Sequence, residues 1–106
     1  MTNVQNRWVD SAAEMQLERM IAALAPLEIV GRAPVEISDL AYDARAVVPG
    51  ALFFCVPGAR FDGHDFAAEA VERGAAALVV ERPLDVSVPQ LVVADARSAM
   101  AVAADA

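Results

Sequence analysis

The spacing of apolar positions changes several times along the chain, and each change predicts an element. Leu17, Met20, Ile21 and Leu24 recur at steps of three and four, the period of one helix face. Ahead of them, Ser11-Ala12-Ala13-Glu14 has the form of a capping box,. Together they predict an amphipathic helix over residues 12–25, stopped at Pro26,. Residues 1–10 lack any such period and read as a lead-in or an appended extension. Leu27–Val30 is a short apolar run before Gly31 and predicts a strand. Val35, Ile37 and either Leu40 or Tyr42 alternate in part and predict a second. Leu52-Phe53-Phe54-Cys55-Val56 is an unbroken run between two Pro-Gly pairs, the pattern of a strand covered on both faces.

Residues 57–64 carry two glycines and predict a loop. A helix over 65–73 follows, capped by Asp65, with Phe66, Ala70 and Val71 inward and Gly74 at the left-handed position after its end,. Ala76–Val80 and Gln90–Ala94 predict two more strands, separated by a Pro-containing loop over 82–89. A last helix begins near Arg97, capped by Asp95 or Ser98, and is still in progress at Ala106. Strands alternating with helices after residue 50 predict an α/β fold. The expected form is a small, three-layer-like domain with a mainly parallel sheet and right-handed crossovers. The unfinished helix predicts one domain of a longer protein.

Composition narrows the function classes. A chain of 106 residues, 58% apolar and 22% charged, fits a single folded domain and excludes a disordered one,. No apolar run approaches the roughly 20 residues that cross a bilayer, and residues 1–10 lack the basic start and apolar stretch of a signal peptide. The single cysteine, Cys55, excludes an internal disulfide,. The expectation is a cytoplasmic, reduced protein without membrane insertion. Net charge is −7, all eight basic residues are Arg and there is no Lys. Scattered arginines on an acidic domain leave no footprint for nucleic acid. A P-loop needs its Lys on the phosphates, and G-x-x-x-x-G-K-[ST] is absent, so no ATP site is recognisable,. A phosphate-bearing ligand remains compatible, because a few local arginines and backbone N–H groups suffice.

The segment Ala41-Tyr42-Asp43-Ala44-Arg45, then Val48-Pro49-Gly50 and Leu52-Phe53-Phe54, resembles the N-terminal domain of the Mur ligase family. That family has a strand ending in an Asp-Ser-Arg-like triplet, a Pro-Gly turn and a Leu-Phe strand. A Gly-containing loop with an Asp-Gly-His-Asp-Phe-like end follows, and then a helix running into Gly-Ala. The counterparts here are Gly58 to Phe66 and Ala70 through Gly74-Ala75-Ala76, joined by Glu81-Arg82-Pro83-Leu84 and Val88-Pro89-Gln90. No single piece is specific; the ordered set over residues 15–106 is.

The resemblance implies a three-domain, ATP-dependent enzyme that extends a UDP-N-acetylmuramoyl-peptide precursor of peptidoglycan. Residues 11–106 would be its N-terminal, UDP-binding domain. The ATP loop, the magnesium ligands and a modified lysine would lie in a central domain, and amino-acid binding in a C-terminal domain, neither of them in these 106 residues. The fragment alone would hold no catalytic residue, no metal site and no cofactor. Within the family, Tyr42 before the triplet and Phe54-Cys55-Val56-Pro57-Gly58 resemble the third ligase, which adds meso-diaminopimelate or L-lysine to the L-Ala-D-Glu precursor. Arg60 to Phe66 and Arg82 to Asp85 are shared with the fourth ligase, which adds D-Ala-D-Ala. A free-standing α/β binding protein is the alternative from another class.

Carried over by position, the resemblance places uracil and ribose near Tyr42 and Ala44, and near Ala59, Arg60 and Phe61. Ala44 departs from the family's Ser or Thr, so a hydroxyl contact is lost; Ala59-Arg60-Phe61 replaces a His-Gln-Ala-like run. On the residues alone, Tyr42 and Phe61 offer ring faces to a base, or pack as core. Arg60 approaches a phosphate or ribose, or is simply solvated. Gly58 and Gly63 are expected to leave backbone N–H groups accessible. Asp43 and Arg45, on one face of a strand, form either a pair that shapes the pocket or an ordinary surface pair. His64 reads as a structural hydrogen-bonder and Cys55 as a buried thiol. Asp62, Asp65 and Glu69 read as favourable charge at a helix N-terminus, with a metal site as the lesser alternative.

Overall fold

Residues 15–105 are described by a computed structural model. Ser11–Glu14, the proposed capping box, and the lead-in before it lie outside them. Seven strands and three α-helices follow in chain order: β1 (Met15–Gln16), α1 (Leu17–Leu24), β2 (Glu28–Val30), β3 (Glu36–Ile37), β4 (Asp39–Ala41), β5 (Ala51–Phe54), α2 (Ala67–Glu72), β6 (Ala77–Val80), β7 (Gln90–Val92) and α3 (Ala96–Asp105). The main sheet has the order β2-β7-β6-β5-β4. Three of its four pairings are parallel and β2 closes it antiparallel to β7. The expected α/β class and mainly parallel sheet are therefore what forms.

The strands at the centre, β5 and β6, are buried at every position, as their unbroken apolar runs predict. Alternate residues point to opposite faces. Leu52, Phe54, Ala77, Val79, Leu91 and Val93 pack with Leu17 and Met20 of α1 and with Ala96, Ala99 and Ala103 of α3. Ala51, Phe53, Cys55, Leu78, Val80 and Val92 pack on the other side with Ala67 and Ala70 of α2. Helix, sheet and helix make three layers. The alanines at helical spacing let both helices lie close to their neighbours, so a core light in side-chain volume still closes.

Several local expectations change. The first helix begins at Leu17, not at residue 12, because Met15 and Gln16 pair antiparallel with Ile37 and Glu36. The Leu17 N–H also reaches Val35 C=O at 2.9 Å. A backbone group engaged in a ladder cannot also open a helix, and Gln16 supplies no side-chain cap. The helix ends at Leu24, one residue short of the expected Ala25, which turns left-handed at φ 46° just before Pro26. The second strand is broken in two at Ser38, whose N–H donates to Gly50 C=O and whose hydroxyl donates to Pro49 C=O, both at 2.9 Å. β3 joins the small two-stranded sheet with β1, and β4 joins the main one.

A 3-10 turn over Gly63–Phe66 precedes α2, and its cap is Asp62, not Asp65. Phe66 accordingly lies at the surface instead of facing inward. Gly74 takes the predicted left-handed conformation at φ 105°, and a Cβ there would stand 2.9 Å from Pro49 Cα. α3 begins at Ala96 with Asp95 as its cap, accepting from the Ser98 N–H at 3.1 Å. Among the described residues, no helix is long and apolar enough to cross a membrane.

Candidate functional site

Where β4 and β5 end at their carboxyl termini, a cleft of about 530 Å³ opens, the usual place for a ligand in a parallel sheet. Tyr42, Asp43, Ala44 and Arg45 form one wall as the chain leaves β4. Phe53 and Val56 of the β5 segment form its floor, and Phe61, Gly63, Phe66 and Glu69 complete it from the loop and α2.

Tyr42 and Phe61 are each 67% exposed, which removes the alternative that they pack as core. Phe61 meets Phe66 edge to face, with centroids 6.1 Å apart. The cleft thus has aromatic walls on two sides, suited to a flat base. Ala44 is nearly buried at the base of the first wall. Gly58, Ala59 and Arg60 are exposed loop residues outside the cleft lining.

The Asp43–Arg45 pair is not a strand pair. Asp43 caps a 3-10 turn over Ala44–Ala46, and its carboxylate accepts from the Arg45 N–H, Nε and Nη2 at 2.9, 3.2 and 2.9 Å. The Arg45 side-chain hydrogen bond, helped by the backbone N–H, holds the Asp43 carboxyl below its ordinary pKa. Asp43 therefore remains an anion through the neutral range, and Arg45 lies in a bidentate clasp at the cleft wall. Glu69 on the opposite wall is paired with Arg73 at 3.1 Å. The charges that line the cleft are thus already in pairs, which leaves its walls close to neutral.

The glycines act differently from expectation. The Gly58 N–H donates to Phe61 C=O at 2.8 Å and the Gly63 N–H to Val56 C=O at 3.0 Å, so neither is open to a ligand. Their role is spatial: a Cβ on Gly63 would lie 2.6 Å from Val56 N and 3.0 Å from Cys55 Cα, and one on Gly58 would lie 2.7 Å from Phe61 O. Among the described residues, the N–H groups of Ala59, Arg60 and Phe61 donate to no protein acceptor, and Arg60 enters no salt bridge.

His64 is a structural hydrogen-bonder, as predicted. Its Nε2 accepts the Glu81 N–H at 2.9 Å, so the neutral ring carries its proton on Nδ1 and donates to Asp62 Oδ1 at 2.6 Å,. The Asp62 carboxyl is held below its ordinary pKa, first by the His64 backbone N–H and then by the ring. Asp62, Asp65 and Glu69 do not converge on one point: Asp62 serves His64 and Arg82, and Glu69 serves Arg73. Burial pushes the Cys55 thiol up to about 12, so it stays protonated and inert at neutral pH.

Phe53, Val56, Phe66 and Glu69 are cleft residues that the sequence reading missed. Phe66 and Glu69 sit one helical step apart, and that spacing was the available signal.

The profile described as "Mur ligase family, catalytic domain" matches residues 36–105. The UDP-N-acetylmuramoyl-L-alanyl-D-glutamate--2,6-diaminopimelate ligase of Geobacillus thermodenitrificans is 51% identical over 92 residues, 87% of this chain and 19% of that protein. The Geobacillus kaustophilus protein of the same name is 59% identical over 71 residues, 67% of this chain and 14% of that one. Among solved structures, MurF from Acinetobacter baumannii superposes with a TM-score of 0.74 at 33% identity, covering 81% of this chain and 19% of the other. The chain thus spans about a fifth of the length of these relatives. With the ordered motifs and the mainly parallel sheet in agreement, the chain belongs to the Mur ligase family.

Proposed function

We propose that residues 11–106 are the N-terminal domain of a Mur ligase and that the cleft holds the UDP end of a UDP-N-acetylmuramoyl-peptide. The observation that carries this is a cleft at the carboxyl edge of a mainly parallel sheet, lined by the rings of Tyr42, Phe61 and Phe66, next to a loop in which the N–H groups of residues 59–61 are free. Uracil lies against the rings, and ribose and diphosphate lie toward the loop, where Ala59 to Phe61 supply backbone donors and Arg60 supplies charge. Asp43, Arg45, Gly58 and Gly63 shape the cleft without donating to the ligand. This domain fixes one end of the substrate, and the far end reaches the reacting centre by its own length.

The diamino-acid-adding enzyme of the family is the better reading, because the relatives of that name are 51–59% identical. The D-Ala-D-Ala-adding enzyme is the second reading, favoured by the MurF neighbours at 33%. The complete protein is a cytoplasmic, ATP- and magnesium-dependent ligase. ATP and magnesium do not fit the residues present here: there is no Lys, no P-loop pattern, and no group of three metal-ligating side chains among the described residues. They belong to the central domain of the same chain, with a C-terminal domain beyond it. The purified chain is therefore expected to show no ATP turnover in a phosphate-release assay, and turnover by clean protein would contradict the reading.

Calorimetry with UDP, UDP-N-acetylmuramic acid and ADP tests the site. Both uridine nucleotides are expected to bind weakly and ADP not at all. Ala44→Ser restores a hydroxyl at the cleft base and is expected to tighten UDP binding by about 0.5–1.5 kcal/mol, one hydrogen bond. Arg60→Ala is expected to weaken it. Equal binding of ADP and UDP would defeat the assignment.

A further inference from the structure

The loop that carries Phe61 is exposed at every position from Pro57 to Phe61. The Pro57–Asp62 bridge and the Gly58–Phe61 and Gly63–Val56 hydrogen bonds hold its shape. Besides the Arg82–Asp62 ion pair at 3.5 Å, two tethers reach it from elsewhere, and both run to the first turn of α3. In one, Arg97 Nη2 donates to Pro57 C=O at 2.9 Å, across 40 residues of sequence. In the other, Asp62 accepts from the His64 ring, His64 Nε2 accepts the Glu81 N–H, and the Glu81 carboxylate accepts the Ala96 N–H at 2.9 Å. The two ends of one loop are thus fastened to two adjacent residues of one helix.

We infer that Arg97 is a positioning residue for the ligand loop: its hold on Pro57, beside the Asp62–His64–Glu81–Ala96 chain, makes the loop and the start of α3 one unit. The identity of the ligand rests on the nucleotide reading above; the tether does not. The Glu81 cap and the Asp95 cap fix the first turn of α3, so Arg97 projects from a firm base. The loop, with few bonds of its own, opens at little cost. One hydrogen bond of ordinary strength then changes its closed population several-fold. By linkage, a ligand that closes the loop also fixes the start of α3, and a shift of α3 loosens the site.

The test compares amide hydrogen exchange by NMR in the intact chain, Arg97→Ala and Arg97→Lys. In Arg97→Ala, the Gly58 and Gly63 amides are expected to exchange roughly 3–10 times faster. Leu78 and Val80 in the central strand should be unchanged, and Lys, which keeps a charged donor group at the end of its chain, should restore part of the protection. Unchanged exchange in the loop, or equal acceleration in the loop and in β6, would overturn the inference. Titration with UDP-N-acetylmuramic acid is the second arm: its Kd is expected to rise by a similar factor in Arg97→Ala and to recover in Arg97→Lys, and an unchanged Kd would overturn the coupling to the ligand. If the unmodified chain gives no shifts with this ligand, the nucleotide reading fails, while the exchange result still decides the tether.

Discussion

Phe53→Asp and Val79→Asp are each expected to abolish the cooperative unfolding transition, leaving chains without native near-UV circular dichroism. Phe53 is 1% exposed and packs on the α2 side; Val79 is fully buried on the side of α1 and α3. The two substitutions therefore probe opposite layers. Both positions lie among apolar side chains, so the new carboxylate is taken out of water. Burying it costs several kcal/mol or more, either as an unpaired charge or through protonation. Removing the apolar contacts adds roughly 2–5 kcal/mol. The sum meets or exceeds the whole stability of a small domain, about 5–15 kcal/mol. A native-like transition in either variant would show that its layer is not core.

His64→Leu is expected to lower stability by about 2–5 kcal/mol while keeping a similar volume. The ring is fully buried, and it is both the acceptor for the Glu81 N–H and the donor to Asp62. Leucine replaces neither role. An orphaned buried N–H costs about 1–3 kcal/mol, and a hydrogen bond to a charged group contributes about 1.5–3 kcal/mol. A fall in the urea midpoint with the slope unchanged is the expected readout. The effect also has a direction in pH. The folded-state pKa of Asp62 is depressed, so its contribution is present above its unfolded pKa and is lost as pH falls through the folded value,. The stability difference between the intact chain and His64→Leu should therefore narrow on acidification below the ordinary carboxylate range. An unchanged midpoint would remove His64 from the account.

The central strands were legible because nothing competes with an unbroken β-branched and aromatic run between turn residues. The same was true of the stop at Pro26 and of Gly74, where the backbone itself carries the signal. What failed was what depends on a distant partner. Ser11–Glu14 together with Leu17–Leu24 gives a longer helix only if Met15 and Gln16 are free, and their pairing with Glu36 and Ile37 comes from chain twenty residues on,. The cap at Asp62 was missed because a 3-10 turn precedes α2, which moves the first orphan N–H groups back by three residues,.

The candidate site was legible in part. Its two segments were named, but their inner chemistry was not. Gly58 and Gly63 suggest open N–H groups in sequence, whereas both close bonds inside the loop and are glycine because the backbone comes too near for a Cβ. Phe66 and Glu69 join the cleft from the 3-10 turn and from the first turn of α2, and only their spacing hints at it. No spacing rule could link Arg97 to Pro57.

The central claim is that one cleft, built from the end of β4 and the loop after β5, holds a uridine nucleotide. An NMR titration of the isotope-labelled chain with UDP-N-acetylmuramic acid tests it most directly. The account predicts saturable shifts at Tyr42 to Arg45 and at Ala59 to Phe66, with the largest at Tyr42 and Phe61. Shifts confined to α1, with none at either segment, would contradict it.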